Sequence, residues 1–251
     1  MNLTNFGMSK FGLKSRDYIG DPKGKLYYNR QLFSAIASEY SRMSGVLSLG
    51  RDIPWKRRLI ERLPELAHPR CLDLACGNGD FTALLLNRYP GAEVTALDLN
   101  APMLEIARER FSENERVSFV EADMNASELP DEGYDLITVG YGLRNAPQIE
   151  QALKEVSRLL RPEGVLAVLD FSRWNRGDFI ELKLLRFWCG LWGILRSGNA
   201  DTYGYIADSL ARYPARDTLH RMFGEHDLAI TNSETHFLGI IESVIALKRS
   251  T

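Results

Sequence analysis

The stretch LDLACGNGD, residues 72–80, decides the fold. Its apolar first half is typical of a short buried strand, and the residues from Asp80 onward predict a helix. Gly77 and Gly79 permit a tight turn and let the backbone approach a ligand without a Cβ clash. The helix start offers free N–H groups to an anionic group such as a carboxylate. A turn that binds no ligand has the same pattern, so both interpretations stay open for this stretch alone.

Strand and helix patterns alternate along the middle of the chain. Almost wholly apolar strands that alternate with helices indicate a parallel sheet covered on both faces. Helices are predicted over 80–89, 102–111 and 149–160. Strands are predicted over 71–75, 93–98, 117–121, 134–140, 164–171, 228–235 and 240–248. We predict an α/β fold with a Rossmann-like, doubly wound, mostly parallel seven-stranded sheet whose last strand is antiparallel.

Two helical additions flank this alternation. Residues 29–63 have helical spacing with an interruption at Ser44-Gly45 and a second helix over 55–63, and residues 172–227 contain no strand pattern. We predict a flexible N-terminal arm, 1–25, and a single domain, 26–251, with a helical cap, 26–66, and a helical insertion on the substrate side, 172–227. Both additions are expected at the carboxyl ends of the strands, where such sheets bind ligands.

Composition excludes several classes of protein. The 251 residues include 31 basic and 33 acidic side chains and carry a net charge of −2, which argues against a nucleic-acid partner. Three scattered cysteines predict neither a disulfide framework nor a metal site, and they fit a reducing cytoplasm. No apolar run reaches the about 18 residues that a membrane span requires. We therefore expect a cytoplasmic protein.

Asp98 ends the second predicted strand, 19 residues after Gly79. At about this spacing, an acidic residue reaches the ribose hydroxyls of an adenine cofactor. Alternatively, Asp98 or Asn100 caps the helix that contains Pro102. Together with the glycine turn, the spacing predicts ribose binding.

The residues around the turn also discriminate between adenine cofactors. A dinucleotide motif requires a third glycine at position 82, which is Thr82 here, and Asp80 repels a pyrophosphate. Asp80 is instead suited to pair with a cationic amino group. S-adenosyl-L-methionine has such an amino group, a carboxylate and no phosphate, so we predict it as the cofactor rather than a nicotinamide dinucleotide.

Two further loops follow strands. Asp123 is suited to accept a hydrogen bond from the adenine amino group and Met124 to cover the ring, although Asp123 also fits a loop-initiating role. The fourth strand ends at Gly140 in a loop whose polar side chains are expected to face the ligand cleft. The predicted cofactor-binding residues are Asp73, Gly77, Asn78, Gly79, Asp98, Leu99, Met103, Asp123, Met124 and Gly140.

These motifs carry a resemblance to known enzymes. The pattern DxACGxGD at 73–80, with DLN at 98–100 and ML at 103–104, resembles the class I methyltransferases. Further motifs narrow the resemblance to the ubiquinone/menaquinone biosynthesis C-methyltransferase family, over roughly residues 30–248. These motifs are FxxIAxxY at 33–40, LSLG at 47–50, YGLRN at 141–145, LRPxG at 160–164, LDFS at 169–172 and DxYxYIxxSLxxYP at 201–214.

The resemblance implies methylation of a ring carbon of a hydrophobic, polyprenylated quinol, either a benzoquinol or a naphthoquinol. It implies that Tyr40, Arg144 and Asn145 act at the acceptor. Because arginine is a poor base, our hypothesis is that Arg144 stabilises a developing phenolate while Asn145 and Tyr40 orient the ring. His236 and Glu242 are candidates for the base, each with a structural role as the alternative.

Three departures from the family pattern keep other acceptors open. They are Ser41, the pair Arg173-Trp174 and the pair Glu242-Ser243. A methyltransferase of another aromatic or lipid-like small molecule is therefore one alternative, and a non-catalytic scaffold that binds the cofactor is another.

An apolar helix is predicted over 179–195, with Trp188 and Trp192 among basic residues. It fits peripheral contact with the inner face of a membrane or with a polyprenyl tail. Burial against the sheet or in a homodimer interface fits the same pattern, so both interpretations stay open.

Overall fold

The computed structural model of the chain describes residues 12–173 and 201–250. The predicted helix over 179–195, with Trp188 and Trp192, lies outside these residues. The helices are α1 (Pro22–Ile36), α2 (Tyr40–Leu47), α3 (Asp52–Glu61), α4 (Asp80–Arg88), α5 (Ala101–Arg110), α6 (Ile149–Leu159), α7 (Asp201–Ala211) and α8 (Arg216–Glu225). The strands are β1 (Arg70–Leu74), β2 (Glu93–Asp98), β3 (Val117–Glu121), β4 (Tyr134–Gly140), β5 (Leu160–Phe171), β6 (Leu228–His236) and β7 (Ile241–Lys248).

The seven strands form one sheet in the order β3-β2-β1-β4-β5-β7-β6. Strand β7 is antiparallel to both of its neighbours, whereas all other pairs are parallel. This arrangement confirms the predicted fold class. The chain order reverses between β1 and β4, so the crevice for a ligand lies beyond the carboxyl ends of these two strands.

Side chains that alternate along each strand form a core on each face of the sheet. From β1, Leu72 and Leu74 face a cluster that includes Leu153 of α6 and Phe223 of α8. On the other face, Cys71 belongs to a cluster with side chains of α3 and α4. Because helices cover both faces, the central strands are apolar on both sides.

Strand β5 begins at Leu160, four residues before the predicted start at Gly164. Leu160 pairs with Tyr134, and the next pair is Val165 with Leu136. The residues between form a bulge in which Glu163 has a φ of 63°. The turn residues RPEG thus interrupt the ladder without ending the strand.

The N-terminal helices differ from the prediction at two points. Helix α1 begins at Pro22, because Asp21 caps it by accepting a hydrogen bond from Gly24 N at 2.9 Å. The predicted interruption at Ser44-Gly45 is wrong, since both residues lie inside α2. The helix ends instead at Leu47, and Gly50 adopts a left-handed φ of 77° shortly after it.

The helical additions lie at the carboxyl ends of the strands, as predicted. Asn29 of α1 donates a hydrogen bond to the backbone oxygen of Asn145, at 2.7 Å. From the insertion, the Tyr205 hydroxyl of α7 donates to Oδ1 of Asn145, at 2.9 Å. Asn145 lies in the segment after β4, which ends at Gly140, so α1 and α7 together cover the ligand crevice. None of the described helices is long and apolar enough to cross a membrane.

Candidate active site

Asp73 of β1 anchors the turn that follows this strand. This buried carboxylate accepts hydrogen bonds from the backbone N and Oγ1 of Thr82, both at 2.8 Å, and from Oγ1 of Thr138 at 3.1 Å. Burial raises the pKa of Asp73 to about 6, and these hydrogen bonds oppose the shift. Thr82, where a dinucleotide motif has glycine, therefore ties the start of α4 to β1.

Asn78 and Gly79 shape the turn. Gly79 has a φ of 79°, and a Cβ on it would lie 2.6 Å from the Phe111 ring. The Asn78 side chain donates to Oγ of Ser41, at 2.6 Å, and so binds the turn to α2. Neither residue lines a described cavity, and neither does Asp73. Their assignment to direct cofactor binding stays a prediction.

A cavity of about 710 Å³ opens beside this turn, and we call it the turn cavity. It lies between the carboxyl ends of β1, β2 and β4 and the helix α1. Seven of the predicted cofactor-binding residues line it: Gly77, Asp98, Leu99, Met103, Asp123, Met124 and Gly140.

Asp98 connects the turn to the end of β2. Its Oδ2 accepts from Gly77 N and its Oδ1 accepts from Asn100 N, both at 2.8 Å. Burial raises the pKa of Asp98, and these backbone hydrogen bonds oppose the shift. A carboxylate has about four lone-pair sites, so both oxygens keep capacity for ribose hydroxyls. The helix cap falls to Asn100, whose Oδ1 accepts from Met103 N at 3.2 Å.

Asp123 and Met124 occupy the far wall of the turn cavity. Oδ1 of Asp123 accepts from Asn125 N at 2.9 Å, so the residue also has the loop-forming role considered for it. Its other oxygen and the buried Met124 are suited to an adenine ring.

The pairing of Asp80 differs from the expectation. Its carboxylate binds Lys56 Nζ at 3.0 Å and Arg110 Nη1 at 2.9 Å, and it does not line the turn cavity. Burial by itself raises the pKa of Asp80, but Lys56 and Arg110 outweigh it and lower the pKa. The expectation that Asp80 is suited to a ligand amino group is therefore wrong, because the chain supplies both counterions itself.

A second cavity, of about 980 Å³, lies on the other side of Tyr40 and Tyr141, and we call it the apolar cavity. It shares Phe33, Tyr40, Tyr141 and Asn145 with the turn cavity. Its remaining wall includes Leu32, Ile36, Met43, Leu47, Trp55, Arg144, Phe171, Tyr205, Ile206, Phe237, Ile240 and Ile241. A nucleoside-sized space and an apolar space thus meet at two tyrosines and an asparagine.

Arg144 is a buried cation in the wall of the apolar cavity. Its side chain is 5% exposed, and its guanidinium carbon lies 4.8 Å from the Phe171 ring centroid and 5.5 Å from that of Tyr205. Nη1 donates to Oγ of Ser209. Nε has no hydrogen-bond partner among the described residues, since Asp170 Oδ1 is 4.0 Å away. A buried, unpaired N–H on a cation is suited to a ligand oxygen that gains negative charge.

Asn145 and Tyr40 lie where the two cavities meet. Both ends of the Asn145 amide have a partner: Nδ2 donates to the Tyr141 backbone oxygen at 2.8 Å, and Oδ1 accepts from Tyr205. Burial raises the pKa of Tyr40 to about 12, and the nearby Lys56 opposes the shift. Tyr40 therefore faces the site as a neutral phenol.

Neither candidate for the base lines a cavity. His236 stacks on Trp55 with ring centroids 5.7 Å apart, and its Nε2 is 3.0 Å from Ser243 Oγ. The buried carboxylate of Glu242 lies 2.8 Å from His220 Nε2 and accepts from Ser233 Oγ at 2.6 Å. Both side chains therefore have structural partners.

The departures from the family pattern also lie away from the cavities. Ser41 binds Asn78, Arg173 donates to the Ala211 backbone oxygen at 2.9 Å, and Ser243 bonds to His236. None of them is among the lining residues of either cavity, and Trp174 lies outside the described residues. The described departures thus leave the cavity walls unchanged.

The sequence placed Tyr141 in a loop expected to face the cleft but gave it no role of its own, and Asp52 and Lys56 were missed as site residues. Tyr141 lines both cavities, while Lys56 Nζ lies 2.9 Å from Asp52 Oδ2 and 5.6 Å from the Tyr141 ring centroid. The i,i+4 spacing of Asp52 and Lys56 is a signal for their ion pair, but it gives no sign of burial beside the site.

Comparisons with known proteins agree with this geometry. The model of the ubiE/COQ5 methyltransferase family matches residues 23–248. A demethylmenaquinone methyltransferase of Thermus thermophilus is 40% identical over 76% of this chain and 88% of its own length. The ubiquinone/menaquinone biosynthesis C-methyltransferase UbiE of Xanthomonas oryzae is 33% identical over 96% of this chain and 94% of its own.

Solved structures share the fold. A SAM-dependent methyltransferase from Aquifex aeolicus matches with a TM-score of 0.57 at 15% identity, over 84% of this chain and 98% of that one. The Haemonchus contortus phosphoethanolamine N-methyltransferase 2, in complex with S-adenosylhomocysteine, matches with a TM-score of 0.65 at 12% identity. The match covers 88% of this chain and 60% of that one. At these identities the likeness concerns the fold alone.

The geometry of Asp98 generates a binding prediction. We expect Asp98→Ala to weaken S-adenosylmethionine binding by about 10- to 100-fold, because hydrogen bonds to a charged group contribute about 1.5–3 kcal/mol. Isothermal titration calorimetry measures the change, and Asp131→Asn, at an exposed carboxylate, is the control. Unchanged affinity in Asp98→Ala contradicts the ribose assignment.

Proposed function

Because the chain belongs to the ubiE/COQ5 methyltransferase family, we propose that it methylates a ring carbon of a polyprenylated quinol, either a benzoquinol or a naphthoquinol. It is an S-adenosylmethionine-dependent methyltransferase. The observation that carries the proposal is the apolar cavity with the buried Arg144 in its wall, which meets the turn cavity at Tyr40, Tyr141 and Asn145. The names of the relatives, which act on demethylmenaquinone or in ubiquinone/menaquinone biosynthesis, support this class of acceptor.

The residues of the turn cavity fit S-adenosylmethionine. Asp98 keeps acceptor capacity for the ribose, and Asp123 and Met124 offer an acceptor and an apolar surface for the adenine. A Cβ on Gly77 would lie 3.2 Å from the Met103 methyl carbon and narrow this space. When bound, the cofactor supplies an electrophilic methyl group on its sulfonium sulfur.

The protein's contribution is orientation, charge stabilisation and exclusion of water. Arg144 holds a positive charge with a free Nε where a ring oxygen gains negative charge. Asn145 is fixed by Tyr141 and Tyr205, so it braces the wall against which the ring lies. Tyr40 separates the two cavities and limits how far the ring can advance.

The proposal is tested with the purified protein, S-adenosylmethionine and two chemically reduced acceptors. One is a short-tailed naphthoquinol and the other a short-tailed benzoquinol, each lacking the ring methyl group. Mass spectrometry is expected to detect at least one product that is heavier by one methyl group. In cells that lack the protein, a quinone lighter by one methyl group should accumulate. If neither quinol is methylated, the acceptor is another aromatic or lipid-like molecule; without methyl transfer to any acceptor, the chain is a scaffold.

Arg144→Ala separates turnover from cofactor binding. We expect kcat to fall by about 100- to 1,000-fold, the usual effect of removing a group that stabilises developing negative charge. The Kd for S-adenosylmethionine should stay within about twofold, because Arg144 lines only the apolar cavity. Arg88→Ala, which removes a guanidinium bound to the exposed Glu65, is the matched control. An equal loss of turnover and cofactor affinity refutes the role of Arg144.

We further propose a cytoplasmic location with peripheral contact to the inner face of the membrane. Leu49 is 59% exposed and adjoins Ser48, which lines the apolar cavity. Leu238 is 90% exposed and adjoins Phe237, another lining residue. Exposed apolar side chains at the mouth of an apolar cavity are suited to a lipid surface from which a polyprenylated acceptor enters. A homodimer through the same face is the alternative.

Liposome flotation with anionic phospholipid vesicles tests this contact. The wild type should float with the vesicles. The bound fraction of the double variant Leu49→Ser/Leu238→Ser should be at least about tenfold lower, because burying one leucine side chain contributes about 1.5–3 kcal/mol. Leu247→Ser is the control, since Leu247 is 39% exposed and pairs with the start of β5, at the opposite end of the sheet. Equal flotation of both proteins, or none, contradicts the proposal; a dimer that the double variant disrupts assigns the face to a second copy.

A further inference from the structure

We propose that Tyr141 and the buried carboxylate of Asp52 form a proton relay that removes the ring hydroxyl proton of the acceptor. Tyr141 lines both cavities at their junction. Lys56 Nζ lies 5.6 Å from the Tyr141 ring centroid and 2.9 Å from Oδ2 of Asp52, at the start of α3. The inference rests on the proposed function in one respect, namely that the acceptor carries a ring hydroxyl.

Asp52 has one carboxylate oxygen in use and one without a partner. Asp52 is buried, with 4% of its surface exposed. Oδ2 accepts from Ser44 Oγ at 2.8 Å and from Lys56 Nζ at 2.9 Å. Oδ1 is buried and receives no hydrogen bond from the part of the chain that the structure describes. A buried, unpaired oxygen on a carboxylate is costly, so its retention beside the site indicates a role with a mobile proton.

Lys56 binds Asp52 through Oδ2 and leaves Oδ1 unoccupied. Its ammonium bridges Oδ2 of Asp52 and Oδ2 of Asp80, at 2.9 and 3.0 Å, and Arg110 holds the other oxygen of Asp80. Burial lowers the pKa of Lys56, but Asp52 and Asp80 outweigh burial and raise it. The bridge therefore stays charged throughout the working range of pH, and the free oxygen of Asp52 remains available as an acceptor.

The backbone fixes Tyr141 in front of this carboxylate. Its φ of 56° is a strained conformation for a residue with a side chain, and its N–H donates to the Leu169 backbone oxygen at 2.7 Å. On either side, a Cβ would lie 2.8 Å from Phe81 at Gly140 and 2.9 Å from Ala75 at Gly142. The backbone on both sides of Tyr141 is therefore closely packed.

The electrostatics of Tyr141 couple it to Asp52. Burial raises its pKa well above the usual value, and the carboxylate of Asp52 raises it further. Tyr40 and Asp170 act on Tyr141 in the same direction. Tyr141 therefore does not ionise by itself near neutral pH, and it passes a proton only if it receives one at the same time.

In the relay, the O–H bond of the acceptor's ring hydroxyl breaks and its proton binds Oη of Tyr141. At the same time, the hydroxyl proton of Tyr141 passes to Oδ1 of Asp52. Negative charge thereby moves from Asp52 to the ring oxygen, within the cavity that holds Arg144. The electron pair of the ring carbon forms the new bond to the methyl carbon, and the thioether leaves with the pair of the broken S–C bond. The ring then loses its C–H proton to water, and the ring oxygen recovers the proton from the relay.

In the other buried carboxylates near the cavities, each of the two oxygens already accepts a hydrogen bond. Asp170 accepts from Arg144 N at 3.0 Å and from Phe171 N at 2.7 Å. Asp98 accepts from two backbone N–H groups, and Glu242 is engaged by His220 and Ser233. Among these buried carboxylates, Asp52 is the one with an oxygen that accepts no hydrogen bond from the described residues, which suits it to take a proton.

The decisive variant is Tyr141→Phe, which leaves Asp52, Lys56 and Asp80 intact. We expect kcat to fall about 100-fold at neutral pH, within the usual contribution of general acid–base catalysis, with an unchanged Kd for S-adenosylmethionine. The loss should diminish as the pH rises, because the acceptor then ionises without the relay. A purely structural role gives no such alkaline rescue. Tyr213→Phe, at a buried tyrosine that lines neither cavity, is the matched control and should retain activity.

Asp52→Asn provides a second, activity-independent measurement. Ultraviolet difference titration of the ligand-free protein follows the ionisation of its tyrosines. The part of the signal that is absent in Tyr141→Phe belongs to Tyr141. Asp52→Asn should lower the pKa of Tyr141, because it removes the carboxylate that raises this pKa. The double variant should be no slower than the slower single variant, since both residues serve one step.

Three results overturn the relay: Tyr141→Phe with kcat within twofold of the wild type, a loss without alkaline rescue, or an unchanged Tyr141 titration in Asp52→Asn. If Asp52→Asn does not fold, Tyr141→Phe decides alone. If the wild type methylates no quinol, the proposed function fails, and the titration still tests the coupling of Asp52 to Tyr141.

Discussion

The pair of hydrogen bonds that Asp98 accepts from Gly77 N and Asn100 N is the interaction on which the rest of the site depends. It joins the turn after β1 to the loop after β2, so two neighbouring strand ends are held in one geometry. Gly77 presents its N–H in this way with a φ of 56°, a conformation that favours glycine. Because Asn100 caps α5, the carboxylate of Asp98 is left for the cavity.

The apolar cavity gives this arrangement its chemical selectivity. Methyl transfer from a sulfonium cation to a phenolate destroys both charges, so water, which stabilises separated charges, slows it. Helices α1, α2 and α7 contribute Phe33, Met43 and Ile206 to the wall of the apolar cavity. The enclosure therefore favours a charge-neutralising reaction, and its apolar wall favours an acceptor that is itself hydrophobic.

The sheet was predictable because its signals are local. The short apolar runs give β2, β3 and β4 their observed bounds, and the spacing between Gly79 and Asp98 identifies the strand ends that meet. Helix ends were less predictable where a turn signal lies inside an element. Ser44-Gly45 lies within α2, where Ser44 Oγ donates to Asp52, and RPEG forms a bulge in β5, whose first residue Leu160 pairs with Tyr134. The lining residues follow from the strand ends, but their partners do not.

The pairing of Asp80 illustrates why partners escape sequence reasoning. Its counterion Lys56 lies 24 residues earlier, on a helix that packs beside α4 only after folding. Lys56 binds both Asp80 and Asp52 and lies beside the Tyr141 ring. Oδ1 of Asp52 then has no hydrogen-bond partner among the described residues. Burial of this cluster costs desolvation energy that a set of apolar side chains would not. Apolar side chains would join α3 to α4 at a lower desolvation energy. The ionic cluster instead fits a site that accepts a proton away from water.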